Sequence, residues 1–400
     1  MSTRQDAIDA LVDQHLAVDP MTPPPPGTLP LAMPTFGRPE VAEAMDSLLS
    51  GWVTMGKKVS AFERAWADYV GTRHAVMVNS GSSALLVMLT ALVETGRLSR
   101  GDEVLVPAVS WSTDLFAVAQ AGLVPVLVDI DLDSLCVEGT YDRPLIAVHL
   151  LGAASRATAP LLLEDACGAH GAQIGDTNVG ARGFAGVFSF FFSHTLSTIE
   201  GGMITTDDDR YADALRGLRA HGWVRERTDR AAIEAAHPEI DPRFLFVSPG
   251  FNLRPTDIAG AFGIHQVPRL DGFIAQRRAN HARWCAAIDA LGLPLRTFPE
   301  LPGTTHAAFA FPMLVAQDSP LDRGTLCARL EARGITTRPI SGSNLARQPA
   351  FTRVPGARIE GTLDVADAVH ERGFFVGNSH AFGDAQGDVL IEGLKAAFQG

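Results

Sequence analysis

The sequence predicts an α/β protein with a mostly parallel, seven-stranded sheet and a smaller C-terminal α+β domain. Seven short, β-branched apolar runs alternate with helical or loop segments between about Thr72 and Thr206. Continuous apolar runs separated by crossovers are typical of parallel strands with helices on both faces. After Asn252 a long helical stretch leads into mixed strands and helices, which is typical of an α+β unit.

The N-terminal segment is predicted to be a short helix followed by a stiff linker, because four consecutive prolines, Pro23–Pro26, favour an extended chain. We therefore predict three regions along the chain. These are the N-terminal helix and Pro-rich linker over 1–28, a large domain over 29–270, and a connecting helix with the small domain over 271–400.

The strands and helices are predicted from their apolar patterns. The seven strands of the large domain are predicted at His74–Asn79, Glu103–Val109, Val124–Asp129, Leu145–Leu150, Leu161–Glu164, Val187–Phe192 and Met203–Thr205. A long helix is predicted from Ile258 to about Leu291. The small domain is predicted to contain a strand at Ala308–Leu314 and a helix at Arg323–Arg333.

Composition and charge exclude several kinds of partner. The formal net charge is −12, from 33 basic and 45 acidic residues without a Lys/Arg cluster, so neither nucleic acid nor an anionic membrane is expected. No apolar run approaches the roughly 20 residues of a membrane span. No signal sequence opens the chain, so we expect a cytoplasmic location. The four cysteines form no C-x-x-C or C-x-C pair, and no metal site or disulfide framework is expected.

A glycine–serine turn joins the first predicted strand to a helix. The run from Val76 to Leu85 places Gly81 in the turn and Ser82 at the start of the helix. Free N–H groups and the helix dipole favour a phosphate at such an N-terminus. An ordinary N-cap explains the serine equally well, so the pattern leaves phosphate binding and simple capping both open.

An acidic residue, Asp165, follows the fifth predicted strand. It lies at the carboxyl end of an apolar parallel strand, where open α/β sheets place their ligands. A partly buried carboxylate at that position requires a cationic or N–H partner. A protonated pyridine nitrogen is one such partner, and a structural salt bridge is the alternative.

These motifs, together with three further ones, resemble the DegT/DnrJ/EryC1/StrS sugar aminotransferase family. The matching motifs, in order and spacing, are Asn79–Ala84, Asp165, Ser189, Glu200-Gly201-Gly202 and Phe251-Asn252-Leu253-Arg254. The resemblance extends from about Leu29 to Phe382. It implies the fold-type-I architecture of aspartate aminotransferase, a PLP-dependent transferase fold, with the cofactor held in the large domain.

One position departs from that family in a way that changes the chemistry. Family members have a lysine six residues before the Glu of the Glu-Gly-Gly motif, and it forms a Schiff base with pyridoxal phosphate. Counting back from Glu200 reaches His194, and no lysine lies between Lys58 and Lys395. Imidazole is not a primary amine and cannot form that bond. The resemblance therefore implies noncovalent pyridoxamine phosphate, with His194 as the general acid and base.

A lysine-to-histidine exchange is typical of the sugar 3-dehydratase branch of the family. The iron–sulfur enzymes of that branch have a C-x-C pair, which this chain lacks. The stretches that resemble the metal-independent dehydratases are Met55–Val59, Val106–Thr113, Glu200–Met203, Leu218–Trp223 and Gly373–Asn378. The implied reaction is C3 dehydration of an NDP-4-keto-6-deoxyhexose, with GDP-4-keto-6-deoxy-D-mannose as the expected substrate. Glutamate would regenerate pyridoxamine phosphate from pyridoxal phosphate.

The resemblance also implies roles for individual residues. Those implied to hold the cofactor are Gly81, Ser82 and Ser189 at the phosphate, Trp111 over the ring, Asp165 at the ring nitrogen, and Asn252 from the neighbouring subunit. The last role implies a homodimer with shared active sites. Ser193, His221 and Phe244 are implied to lie near the substrate or the catalytic histidine.

Two departures and two alternatives accompany this interpretation. Three residues after Asp165 the family has Gln or Glu, whereas this chain has Gly168, and His170 is a candidate substitute. The segment between Asp131 and Leu161 is also shorter than in the enzymes that it resembles. The alternatives are a nucleotide-sugar aminotransferase and a non-catalytic sugar or cofactor sensor. Formation of 2-oxoglutarate from glutamate and pyridoxal phosphate would separate the sensor from either enzyme.

Overall fold

The computed structural model describes residues 3–399, so residues 1–2 of the predicted N-terminal segment and residue 400 lie outside the described residues. The α-helices are α1 (Arg4–His15), α2 (Arg38–Ser50), α3 (Lys57–Val70), α4 (Gly81–Glu94), α5 (Ser112–Gln120), α6 (Asp209–Arg219), α7 (Arg230–Ala236), α8 (Asp257–Gln266), α9 (Leu270–Leu291), α10 (Arg323–Glu331), α11 (Asp364–Arg372) and α12 (Asp384–Gln399). The strands are β1 (His74–Val78), β2 (Glu103–Pro107), β3 (Val124–Val128), β4 (Leu145–Val148), β5 (Leu162–Asp165), β6 (Gln173–Ile174), β7 (Thr177–Asn178), β8 (Ala185–Ser189), β9 (Gly202–Thr206), β10 (Leu295–Arg296), β11 (Thr304–Thr305), β12 (Ala310–Val315), β13 (Thr337–Pro339), β14 (Arg358–Ile359) and β15 (Gly373–Gly377).

The main sheet confirms the predicted α/β fold class. Its strands lie in the order β1-β9-β8-β5-β4-β2-β3-β14. From β8 to β14 every neighbouring pair is parallel, and only β9 runs antiparallel to both of its neighbours, β1 and β8. Seven of these strands coincide with the seven predicted apolar runs. Their burial on both faces explains the continuous apolar sequences that predicted them.

The eighth strand of the sheet, β14, was not predicted. It has two residues and comes from the C-terminal part of the chain, where it pairs in parallel with β3. Ion pairs fix it at the sheet edge: Arg358 contacts Glu103, and Arg143 pairs with Glu103 at 2.8 Å and with Glu360 at 2.5 Å. Tertiary charge pairing therefore creates this strand, and no local apolar pattern marks it.

A smaller antiparallel sheet of order β10-β12-β15-β13 forms the core of the C-terminal region. Strand β12 and helix α10 agree with the predicted strand and helix to within a few residues. The predicted long helix is divided into α8 and α9 by a short 3₁₀ turn at Val267–Arg269. Pro268 accounts for the break, because proline cannot donate the backbone hydrogen bond that a continuous helix requires.

Helix α9 contacts both parts of the chain. Leu270 and Ile274, in its first two turns, pack in the hydrophobic core between α3 and the main sheet. Trp284 and Ile288 pack in the hydrophobic core of the small sheet. The division of the chain at residues 28 and 270 stays a prediction. Among residues 3–399, no helix is both long and apolar enough to cross a membrane.

A buried carboxylate, Glu164, ties the centre of the main sheet to the loop before β8. It accepts hydrogen bonds from the backbone N–H groups of Arg182 (2.9 Å) and Gly183 (2.7 Å), and its side chain contacts His149 Nε2 at 3.1 Å. Burial acts to raise the pKa of Glu164, but the hydrogen bonds from His149 and the backbone outweigh it and hold the pKa below the ordinary value. The ionised carboxylate is therefore part of the folded core.

We expect Glu164→Gln to lower the free energy of unfolding at neutral pH by about 2 kcal/mol, because at least one buried N–H donor loses its charged acceptor. Since the folded pKa is lowered, this stabilisation is present above the ordinary value of 4.5 and is lost as the pH falls through the folded pKa. Urea unfolding should show the two proteins converging in acid. The exposed Glu239→Gln is the matched control, and an equal loss in that variant would contradict the prediction.

Candidate active site

The first turn of α4 lies directly against the end of β8. A side chain at Gly81 would place its Cβ 2.6 Å from Cβ of Ser189 and 3.2 Å from Sγ of Cys167. Only glycine allows this approach, which brings the helix N-terminus and the Ser189 hydroxyl to one place. The first-turn N–H groups of a helix lack intrahelical acceptors, so this arrangement can bind a phosphate.

Ser82, the next residue of α4, is exposed, and its hydroxyl lies 2.9 Å from the hydroxyl of Thr113 in α5. The N-cap itself is Ser80, whose side chain accepts from the N–H of Ser83 at 3.1 Å. Capping is therefore carried out by Ser80, and the hydroxyl of Ser82 faces α5. Ser82 is therefore not the cap, and its role in phosphate binding stays a prediction.

Asp165 is the last residue of β5 and is only 6% exposed. One carboxylate oxygen accepts from the backbone N–H of Cys167 at 2.8 Å, which fixes the side chain at the carboxyl edge of the sheet. Trp111, 61% exposed, stands at the same edge immediately before α5. The predicted partners of a pyridine ring are the carboxylate of Asp165 and the aromatic ring of Trp111. Both follow strands at the same edge of the sheet as Gly81.

His194 lies in the turn after β8, where its N–H donates to the carbonyl of Phe191 at 2.9 Å. Its ring centroid lies 5.2 Å from that of Phe309, and its Nδ1 is buried without a hydrogen-bond partner among residues 3–399. Burial, and secondarily the positive charge of Arg277, lower the pKa of His194 to about 4. The imidazole is therefore neutral at neutral pH and able to accept a proton.

His170, the candidate substitute for the missing acidic or amide residue, is fully buried. Its ring packs against Trp66, Phe188 and Phe190, and its centroid is 5.9 Å from that of His194. Neither ring nitrogen has a hydrogen-bond partner in the described part of the chain. A Cβ at Gly168 would meet ordinary van der Waals contacts at 3.7 Å, so that glycine is not required by packing. The role of His170 stays a prediction.

Three of the predicted residues, His221, Phe244 and Asn252, are exposed and lie in the segment between α6 and α8. His221, which has a positive φ of 64°, donates its backbone N–H to the carbonyl of Phe251. Asn252 forms an isolated antiparallel β-bridge with Ala220. Phe244 is 63% exposed and stacks on Trp223 at 6.1 Å between ring centroids. In the part of the chain that the structure describes, none of the three hydrogen-bonds to His194 or Asp165 through its side chain.

Asn252 itself lies on the wall of an open cavity of about 710 Å³ that Trp52, Met55 and Arg254 also line. Ser193, by contrast, immediately precedes His194 and is half-buried beside it. Within this chain the carboxyl edge of the main sheet and the turns that follow its strands bring together Gly81, Ser82, Trp111, Asp165, Ser189, Ser193 and His194, whereas His221, Phe244 and Asn252 lie between α6 and α8. Their roles stay predictions.

Two buried polar residues of this region were missed. Asp114, in the first turn of α5, is fully buried beside Asp165. Arg277, in α9, donates to the carbonyls of Phe309 (3.0 Å) and Asn378, and burial lowers its pKa to about 10. The sequence gives little signal for either, since each lies on a helix where a charged residue is ordinarily solvated.

The residues present fit a phosphate-bearing pyridine cofactor that is not attached to lysine. The glycine cradle at Gly81 suits a phosphate, and the buried carboxylate of Asp165 suits a ring N–H. Lys58 ion-pairs with Glu43 at 2.7 Å and with Asp46, and Lys395 ion-pairs with Glu392. These two lysines are held in ion pairs, and the third, Lys57, is exposed at the start of α3. That His194 stands at the family's lysine position stays a prediction.

The chain is similar to known proteins over most of its length. The sequence profile of the DegT/DnrJ/EryC1/StrS aminotransferase family matches residues 35–395. The GDP-4-keto-6-deoxy-D-mannose 3-dehydratase of Yersinia pseudotuberculosis is 36% identical over 373 residues, which cover 87% of this chain and 93% of the relative.

Two solved structures are similar along nearly their whole length. The GDP-4-keto-6-deoxy-D-mannose 3-dehydratase of E. coli with bound hydrated PLP has a TM-score of 0.82 and 32% identity, covering 92% of this chain and 99% of the other. A GDP-4-keto-6-deoxymannose 3-dehydratase with a trapped PLP–glutamate geminal diamine has the same TM-score of 0.82 and 32% identity, covering 92% of this chain and 100% of the other.

We expect proton NMR to show a neutral His194 imidazole from neutral pH down to about pH 5, because its pKa is lowered to about 4. The signal is assigned by its absence in His194→Asn. In the urea-unfolded protein the same histidine should titrate near the ordinary value of about 6.5. Since the folded protein binds this proton more weakly, stability falls as the pH drops from about 6.5 toward 4. A folded-state midpoint at the unfolded value would contradict the prediction.

Proposed function

The chain belongs to the DegT/DnrJ/EryC1/StrS aminotransferase family, and from this membership we propose that it is a PLP- and PMP-dependent sugar 3-dehydratase. Its reaction is removal of the C3 hydroxyl from an NDP-4-keto-6-deoxyhexose. One observation carries the proposal: a half-buried imidazole with a lowered pKa, His194, lies six residues before Glu200, the spacing at which the family has its lysine. Such a residue can move protons but cannot bind the cofactor covalently.

Each residue of the site has a proposed role in binding the cofactor. When bound, pyridoxamine phosphate supplies an amine for the C4 ketone and the electron pair that expels the C3 oxygen. The α4 N-terminus at Gly81 and Ser82, with the hydroxyl of Ser189, would bind its phosphate. The carboxylate of Asp165 would accept the ring N–H and keep that nitrogen protonated, and Trp111 would cover one face of the ring.

His194 is proposed to act first as a base and then as an acid. A neutral imidazole nitrogen accepts a proton when carbon–hydrogen cleavage begins, and the resulting imidazolium donates it to the departing C3 oxygen. A hydroxyl is a poor leaving group unless it is protonated as the bond breaks, so this donation is the step that dehydration requires. The lowered pKa of His194 makes it a weaker base in the first transfer and a stronger acid in the second, because its imidazolium readily gives up the proton.

The substrate that we propose is GDP-4-keto-6-deoxy-D-mannose, because relatives named for that substrate match most of this chain. Glutamate is the proposed amino donor, since a PLP–glutamate adduct was trapped in one of them. Within a cycle, glutamate would return the oxidised cofactor to its amine form and leave as 2-oxoglutarate.

We further propose that the enzyme is a homodimer in which Asn252 reaches the partner's cofactor phosphate. Support comes from the surface that carries Asn252, which exposes several large apolar side chains. They include Trp52, Val53, Phe244, Phe246 and Val247. Exposed apolar patches of this kind are typical of interfaces between proteins, and His221 and Phe244 would then belong to a site completed by a second copy.

We expect His194→Lys to acquire a covalently bound pyridoxal phosphate with a new visible absorbance band, and to lose 3-dehydratase activity. Borohydride reduction followed by peptide mass spectrometry should locate the cofactor on residue 194 in the variant and on no residue in the wild type. His194→Asn, which removes the acid and base without adding an amine, should lower kcat by about 10²–10⁴-fold. Dehydratase activity retained by the lysine variant would refute the proposed role of His194.

We expect the 3-deoxygenated product and 2-oxoglutarate to form one for one, because each expelled hydroxyl consumes the electron pair that glutamate restores. The measurement is mass spectrometry of products from a panel of GDP-, CDP-, dTDP- and UDP-linked 4-keto-6-deoxyhexoses with glutamate. The GDP-linked mannose derivative should react fastest, and chelators should leave its rate unchanged. Turnover that depends on NAD(P)H and a separate reductase would contradict the scheme.

A further inference from the structure

A second buried carboxyl, Asp114, lies beside the carboxylate assigned to the ring nitrogen. It lies in the first turn of α5, three residues after Trp111, and its side chain is completely buried. Neither of its carboxyl oxygens receives a hydrogen bond from any N–H or hydroxyl within residues 3–399. The hydroxyl of Ser110 is close by but donates to the carbonyls of Pro107 and Trp111, each at 3.3 Å.

An ionised carboxylate cannot remain in such a place without cost. Burying a charge without a cation or a set of donors costs several kcal/mol or shifts the group to its neutral form. The side chain of Asp114 is within hydrogen-bonding reach of that of Asp165. When two carboxyl groups lie so near each other, they do not both ionise readily. Burial and the negative charge of Asp165 raise the pKa of Asp114 well above the ordinary value.

The two carboxyls are not equivalent. Asp165 already accepts a backbone hydrogen bond from Cys167 at 2.8 Å. The hydroxyl of Ser110 and the backbone of Trp111 are near Asp114, but among residues 3–399 neither makes a hydrogen bond of ordinary geometry to its carboxyl oxygens, so Asp114 is the carboxyl without a donor. The titratable groups that face Asp114 are Asp165 at the end of β5 and the thiol of Cys167 after it. The proton that the pair retains therefore belongs on Asp114.

We propose that Asp114 is a positioning residue of the cofactor site: it keeps a proton, donates it in a hydrogen bond to Asp165, and so orients Asp165 toward the ring nitrogen. This inference rests on the proposed cofactor site. The pair carries one negative charge instead of two, which matches the single positive charge of a protonated pyridine ring. Asp114 touches no reacting atom in this arrangement and acts only through Asp165.

Infrared spectroscopy of the full-length protein tests the proton directly. At neutral pH the cofactor-free protein should show the C=O stretch of a buried carboxylic acid, and Asp114→Asn should remove it. Asp213→Asn is the matched control, since Asp213 is also buried on a helix but pairs with Arg216 at 2.9 Å. The same band should disappear in the wild type as the pH is raised. This measurement uses only the wild-type protein, so it remains valid if the variant fails to fold.

Loading with pyridoxal phosphate tests whether the pair belongs to the site. The acid band of the wild type should shift when the cofactor binds, because Asp165 then accepts from the ring N–H as well. Absence of an acid band that depends on Asp114 would overturn the inference. A band that does not move, although absorbance shows the cofactor bound, would also overturn it while leaving the proposed function intact. Failure of the protein to bind the cofactor at all would refute both.

Discussion

The contact between the first turn of α4 and the ends of β8 and β9 determines where every group of the site can lie. A Cβ at Gly202 would be 2.2 Å from the carbonyl oxygen of Ser80, and one at Gly81 would be 2.6 Å from Cβ of Ser189. At Gly202 the backbone of β9 packs directly on the backbone of Ser80, and at Gly81 the backbone of α4 packs on the side chain of Ser189. The helix N-terminus and the Ser189 hydroxyl are therefore held at a fixed separation.

Around this contact the protein keeps polar groups that it does not pair. His170 and His194 each have at least one buried ring nitrogen without a hydrogen-bond partner in the described part of the chain. Each unmade hydrogen bond costs about 1–3 kcal/mol, so the site is less stable than an apolar core of the same size. A ligand that supplies a phosphate, a ring nitrogen and polar substituents would bind preferentially to the folded state and stabilise it.

The parts of this structure that the sequence predicted are those whose cause is local. Each of the seven main strands is buried on both faces, so an apolar run marks it, and His194 was identified by its spacing from Glu200. Strand β14 could not be predicted, because Arg358 finds Glu103 only after the chain has folded. Asp114 was missed for the same reason: its unusual surroundings depend on Asp165, about 50 residues away in sequence. The break at Pro268 was predictable and was overlooked.

The replacement of lysine by histidine changes what the surrounding protein must do. A lysine would be fixed by its bond to the cofactor, whereas an imidazole has to be fixed by packing and kept neutral by its environment. Arg277 contributes to both requirements: its Nη1 donates to the carbonyl of Phe309 at 3.0 Å, and the ring of Phe309 packs 5.2 Å from that of His194. Its positive charge also opposes protonation of His194. Because Arg277 comes from α9 and Phe309 directly precedes β12, the C-terminal region of the chain contributes to the position of His194 and, secondarily to burial, to its lowered proton affinity.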